Sequence, residues 1–201
     1  MREIVDGVFT WSRFAEPQGY DFNGYFVPLE SGNLVIDPVE PEPADLERLA
    51  KEGVATILIT NRNHSRAANQ VRQATGARTA IHASDAAHAQ AQGCVVDEAF
   101  SVGEIWGPLM AIPAAGKSPG EVALHWPARG ILFVGDAVIG NPPGKLSLLP
   151  EAKLDDPARL RASVRALSEI DLDTILTGDG VPIVGGAKAA LEALVASFPP
   201  E

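Results

Sequence analysis

The chain has 201 residues, 46% of them hydrophobic, and a formal net charge of −10. That length can bury a sizeable core and is read as one domain over residues 1–201. The acidic balance argues against nonspecific binding of nucleic acid and against docking on anionic membranes, and no apolar run approaches the length needed to span a bilayer.

Met1-Arg2-Glu3-Ile4-Val5-Asp6 carries charges where a signal peptide needs an apolar core, so a cytoplasmic, soluble protein is expected. Cys94 is the only cysteine, which excludes an internal disulfide and a thiolate zinc cluster. Ile4 to Trp11 alternates loosely, as a strand does. Tyr25–Leu29 and Asn33–Asp37 flank the turn residues Ser31-Gly32-Asn33, a hairpin signal. Pro43 to Lys51 has helical spacing, with a first-turn proline and Gly53 as a stop. Val54 to Thr60 is a short apolar run suited to a buried strand, and Ser65 to Thr75 reads as a helix ending at Gly76. A strand follows from Arg78 to His82, and His88 lies in an Ala-rich helical stretch.

The second half repeats this rhythm. Strands are predicted near Phe100, over Leu109–Ile112, Val122–Trp126, Ile131–Val134 and Thr174–Thr177. Asp156-Pro157 supplies an N-cap and first-turn proline for a helix to about Ser168, and Gly186 to Phe198 reads as a closing helix. Two β-rich segments, each followed by helices, imply two sheets face to face with helices outside.

Five segments carry a resemblance in order and spacing. Leu34-Val35-Ile36-Asp37-Pro38 is a strand ending in Asp, and Ile57 to Arg66 is a strand feeding a polar loop. Gly116-Lys117-Ser118-Pro119-Gly120 precedes the strand at Val122. Ile131 to Ala137 contains Leu-Phe-Val-Gly-Asp, and Ile175 to Gly180 ends in Gly-Asp-Gly. Together they resemble the metallo-beta-lactamase superfamily. The implied fold is α+β, a four-layer αββα metallo-beta-lactamase-like sandwich with its site at one edge between the sheets.

The resemblance also implies a ligand set, and most of it is replaced. The Thr-His-x-His-x-Asp-His motif of the superfamily falls on Thr60 to Arg66, so Asn61 and Asn63 stand for its paired histidines, and Ser65 and Arg66 for its Asp and His. Lys117 takes the place of a third histidine and Asp179 of the last; Asp136 alone is kept. Zinc favours imidazole, thiolate and carboxylate, so no metal and no other cofactor is expected. A buried Asp136 without a metal needs a replacement positive charge, which Lys117 and Arg66 can supply. Asn61 and Asn63 can bridge the remainder by hydrogen bonds.

His64 falls on a spacer position and is expected to be a loop histidine, solvated or hydrogen-bonded, with a rim role in substrate contact as the alternative. Ser65 is expected to cap the helix that follows. His82, His88 and His125 show no metal-ligand spacing and are read as structural or surface residues. The candidate site is therefore Asn61, Arg62, Asn63, His64, Ser65, Arg66, Lys117, Asp136 and Asp179.

The leading expectation is a metal-free pseudoenzyme, or a binder of a small anionic metabolite in the former active-site cleft, because arginine's fork suits oxyanions. The alternative is a hydrolase of an ester, thioester or lactone. It would use either a single ion held by Asp136 and Asp179 with Asn61 or Asn63, or a metal-free Lys117/Ser65 mechanism. A purely structural or interaction module is the third possibility. No nucleic-acid or membrane partner is expected, and a homodimer only on the general frequency of symmetric oligomers.

Overall fold

A computed structural model describes residues 1–199. The chain divides into two compact units, Met1–Ser101 and Val102–Glu201.

The first half is a seven-stranded sheet in chain order. Its strands are β1 (Arg2–Val5), β2 (Val8–Ala15), β3 (Tyr20–Val27), β4 (Leu34–Ile36), β5 (Thr56–Ile59), β6 (Arg78–His82) and β7 (Glu98–Phe100). β1 to β4 form an antiparallel meander, and β4 to β7 run parallel. Three helices serve the parallel part: α1 (Pro43–Glu52), α2 (Ala68–Thr75) and α3 (Ala83–Ala91). Parallel strands covered on both faces read as continuous apolar runs, and Ile57-Leu58-Ile59 of β5 is buried throughout. Trp11, Phe26, Val35, Ile57, Ile59 and Ile81 pack with Leu49 of α1 and Val71 of α2 into one core.

The second half is a six-stranded sheet ordered β13-β12-β11-β10-β9-β8. Here β8 is Ile105–Trp106, β9 Leu109–Pro113, β10 Val122–Trp126, β11 Ile131–Val134, β12 Thr174–Thr177 and β13 Ile183–Val184. Only β11 and β12 pair in parallel, joined through α4 (Pro157–Glu169), and α5 (Ala187–Ala196) follows β13. Leu132, Val134 and Ile175 pack against Leu160, Val164 and Leu167 of α4 and Leu191 of α5.

Most predicted elements are present, and the departures have local causes. The first predicted strand is two, β1 and β2, turned at Asp6-Gly7, where Gly7 has φ 66°. The hairpin arm begins at Tyr20 rather than Tyr25. β8 and β13 are two-residue strands, too short to leave a periodic signal.

The expected helix from Ser65 starts only at Ala68, and Ser65 does not cap it. Ala67 is the N-cap residue and no side chain closes that end. Instead the chain is pinned by backbone bonds, His64 N–H to the Asn61 carbonyl (3.0 Å) and Ala67 N–H to the Pro38 carbonyl (3.0 Å). By contrast Asp156 caps α4 as expected, its Oδ1 accepting from the Arg159 N–H at 2.9 Å.

Candidate functional site

Each half delivers its polar residues at the carboxyl ends of its parallel strands, where open α/β sheets place ligands. In the first half β4 runs into Asp37 and β5 into Thr60 and Asn61. In the second half β11 runs into Asp136 and β12 into Asp179.

Asp37 organises the first half's end. It is buried and holds φ 47°, the left-handed region that Asp tolerates better than most residues. That twist turns its carboxylate toward the neighbouring strand. Oδ1 accepts the Thr60 N–H at 2.8 Å, and Oδ2 accepts the Thr60 hydroxyl at 2.5 Å. Nδ1 of His64 lies 2.8 Å from Oδ2. An ionised carboxylate only accepts, so Nδ1 carries the proton and donates. Arg66 Nη2 lies 3.0 Å from Nε2, which fits a neutral imidazole accepting from the guanidinium. The Arg66 guanidinium also stacks over the Phe22 ring at 4.0 Å.

His64 is thus wholly buried and hydrogen-bonded, and the solvated alternative read from its spacer position is corrected. The residues from 61 to 64 form a tight turn that carries the ring back under the sheet edge to meet Asp37. The same turn engages the two asparagines with each other. Asn61 Oδ1 accepts the Asn63 N–H at 2.9 Å, while Asn63 itself is exposed. The Arg62 N–H donates to Asp85 Oδ2 at 2.9 Å, tying the loop to α3. Ser65 is half-buried, and its carbonyl accepts from Ala68 N–H at 2.7 Å.

In the second half Lys117 and Asp136 meet. Nζ lies 3.4 Å from Oδ2, with both side chains buried. Lys117 is placed by the loop from Ala115 to Ser118, which rides on α4. Gly116 has φ 147°, and a Cβ there would lie 2.4 Å from the Leu160 backbone, so the loop sits on the helix as only glycine allows. Its carbonyl accepts from Asp156 N–H at 2.8 Å, and Ser163 Oγ donates to the Ala115 carbonyl at 2.7 Å. Asp136 is fixed in turn by buried Glu121, whose Oε1 accepts the Asp136 N–H at 2.6 Å.

Asp179 is buried just past β12, where its backbone meets the segment that follows β11. Its carbonyl accepts from Gly140 N–H (2.9 Å), and the Gly140 carbonyl accepts from Val181 N–H (2.7 Å). A Cβ at Gly140 would strike the Val181 carbonyl oxygen at 2.0 Å, so the segments after β11 and β12 touch only because both carry glycine.

Sequence reasoning assigned no role in the site to Glu121 or Thr60, and left Asp37 as a strand-end residue. Asp37 left a signal, an acidic residue closing an apolar strand. The remaining histidines behave as structural residues. His82 ends β6 and accepts from the Ser84 N–H at 3.2 Å, and His88 lies on α3. Buried His125 on β10 has its pKa pushed down by burial, opposed by a hydrogen bond with the Asp171 backbone. Burial likewise raises the Cys94 thiol, with the Asp97 charge adding to it.

The sequence profile described as "Metallo-beta-lactamase superfamily" matches residues 4–198. A hydroxyacylglutathione hydrolase of Fuscovulum blasticum is 26% identical over 161 residues, which is 78% of this chain and 60% of that protein. The chain therefore spans about three fifths of that relative's length.

Among solved structures, a metallo-beta-lactamase of Pontibacter korlensis superposes with a TM-score of 0.78 at 16% identity, covering 98% of both chains. A metallo-beta-lactamase of Pseudomonas aeruginosa in a mono-zinc form gives 0.76 at 20% identity, covering 98% of this chain and 95% of that one. One from Erythrobacter litoralis gives 0.76 at 18%, covering 98% and 96%. At these identities the likeness is one of fold, the α+β sandwich. With the match extending over nearly its whole length, the chain belongs to the metallo-beta-lactamase superfamily.

Proposed function

We propose that this chain is a metal-free member of the superfamily that binds a small anionic metabolite with the residues standing at the former metal-ligand positions. The observation that carries the reading is the buried Lys117–Asp136 ion pair. An ammonium on Asp136 supplies the positive charge that a divalent ion would otherwise provide. At about 4 Å and an effective dielectric near 20 such a pair gains roughly 4 kcal/mol before desolvation is counted.

The donor set does not fit a pair of zinc ions. Asn61 has its Oδ1 turned into the loop's own hydrogen bonding, and Lys117 presents a cation where a donor is needed. Lys117 is the cation expected to receive a carboxylate or phosphate.

A second reading has one observation in its favour. Asp136 and Asp179 are buried carboxylates of the second half, each able to offer one ligand atom to a single ion. With the hydroxyacylglutathione hydrolase among the relatives, this points to a hydrolase of an ester, thioester or lactone. Such an ion would have to displace Lys117 from Asp136.

Elemental analysis of dialysed protein, with a panel of thioesters, esters and lactones assayed with and without chelator, separates the two. The metal-free reading expects transition metal far below one ion per chain, no chelator-sensitive turnover, and a rise in Tm with an anionic metabolite. One tightly held ion per chain, with turnover that a chelator abolishes, establishes the second reading and overturns the first.

A further inference from the structure

Glu121 is a buried carboxylate at the root of β10, and it reaches both partners of the Lys117–Asp136 pair through their backbones. β10 pairs with β9 on one side and β11 on the other. Continuing the registers Val122↔Pro113 and Ala123↔Val134 past the strand ends sets Glu121 opposite Ala114 on one side and opposite Asp136 on the other.

The two sides are closed by different atoms. Toward β9 the backbone is used. The Ala114 N–H donates to the Glu121 carbonyl at 3.3 Å, and the Glu121 N–H donates to the Ser118 carbonyl at 3.4 Å. Both ends of the segment 114–118, which carries Lys117, are thereby tied to Glu121. Toward β11 the side chain is used. That strand has ended at Val134, and Oε1 of Glu121 accepts the Asp136 N–H at 2.6 Å. An amide donating to a buried carboxylate makes a short, charge-assisted bond, stronger than one between neutral groups. It fixes the backbone from which the Asp136 side chain departs, as the loop bonds fix the backbone from which Lys117 departs.

We infer that Glu121 is the positioning residue of the Lys117–Asp136 pair, its side chain holding the aspartate's backbone and its own backbone holding the lysine's loop. Its bearing on ligand binding rests on the reading of that pair as an anion site. The pair's own coupling is a separate readout, which needs no ligand.

Two substitutions separate reach from charge. Glu121→Gln keeps the length and an acceptor oxygen and removes the charge, whereas Glu121→Asp keeps the charge and withdraws it by one methylene. Each is combined in the full chain with Lys117→Met, Asp136→Asn and both together, and unfolding is followed in denaturant. The cycle cancels the general cost of a buried substitution and leaves the coupling between Lys117 and Asp136. That coupling, roughly 30- to 150-fold in the unfolding constant with Glu121 native, should persist within about threefold in Glu121→Gln. In Glu121→Asp it should fall below about fivefold. Glu121→Met, which fills the space without an acceptor oxygen, takes the place of Glu121→Asp if the shorter side chain prevents folding.

Coupling lost in Glu121→Gln but kept in Glu121→Asp would make the charge decisive and overturn the inference, as would coupling kept in both or lost in both. Inorganic phosphate is the ligand probe. Its Kd should stay within about twofold in Glu121→Gln and rise at least about fivefold in Glu121→Asp. If the unsubstituted protein binds no phosphate, the anion reading fails, and the coupling alone decides the role of Glu121.

Discussion

The two halves each end a parallel strand in a buried aspartate, and they neutralise it in different ways. Asp37 is satisfied by hydrogen bonds, from the Thr60 amide and hydroxyl and from His64 Nδ1. Asp136 is met by a charge, the ammonium of Lys117. A carboxylate ringed by local donors is part of the fold's own fabric, because every partner lies within a few residues of a strand end. One balanced by a cation on a separate loop depends on that loop's placement, here on Gly116 lying against α4. The first arrangement makes a rigid scaffold, and the second leaves a charge pair that a ligand can address.

The largest effect should come from breaking the charge pair. Lys117→Ala removes the ammonium 3.4 Å from buried Asp136 and should destabilise the protein by about 3–5 kcal/mol in denaturant unfolding. Breaking the hydrogen-bonded site should cost less. Asp37→Ala orphans the Thr60 and His64 donors and places alanine at φ 47°, for a loss of about 2–4 kcal/mol. Asp37→Asn retains an acceptor and tolerates that φ, so it should lose less than the alanine variant. Equal losses would mean that charge, rather than hydrogen bonding and backbone, governs this site.

Two smaller effects test the surroundings by pH. The depressed pKa of His125 means that the unfolded chain binds the proton more readily than the folded one. Its contribution is therefore whole above the unfolded pKa of about 6.5 and is lost as pH falls below it. His125→Leu should flatten the acid side of the Tm profile between about pH 6.5 and 5.

Asp97 is the weakest case. Its carboxyl is held at about 2 by a hydrogen bond from Arg72 and the Thr79 N–H. Its stabilisation is present above the unfolded pKa, near 3.8, and disappears as pH falls toward 2. Asp97 lies at an exposed position, so Asp97→Asn should lower Tm only slightly at neutral pH, and the difference should vanish in acid.

The same contrast explains what could be read from the sequence. β11, β12 and α4 were legible because continuous apolar runs and an Asp-Pro cap specify them locally. The pairing of Lys117 with Asp136 followed from charge, since a buried carboxylate demands a cation. For His64 the sequence leaves a solvated and a hydrogen-bonded loop position both open, because its partner, Asp37, is 27 residues away and meets it only through the turn from Asn61 and the left-handed backbone at Asp37. Glu121 lay beyond sequence reasoning for a similar reason, its target being a backbone amide 15 residues on. Strand periods report which face is buried, and a loop residue's aim is fixed by backbone dihedrals that leave no such period.

The central claim is that Lys117 balances Asp136, and a double-mutant cycle over Lys117→Met and Asp136→Asn measures it directly. If the ammonium neutralises the carboxylate, each single change is destabilising and the double variant loses less than the sum of the two, by a coupling energy of roughly 2–3 kcal/mol. Additive losses with coupling near zero would contradict the account, since Asp136 would then owe its burial to some other positive centre.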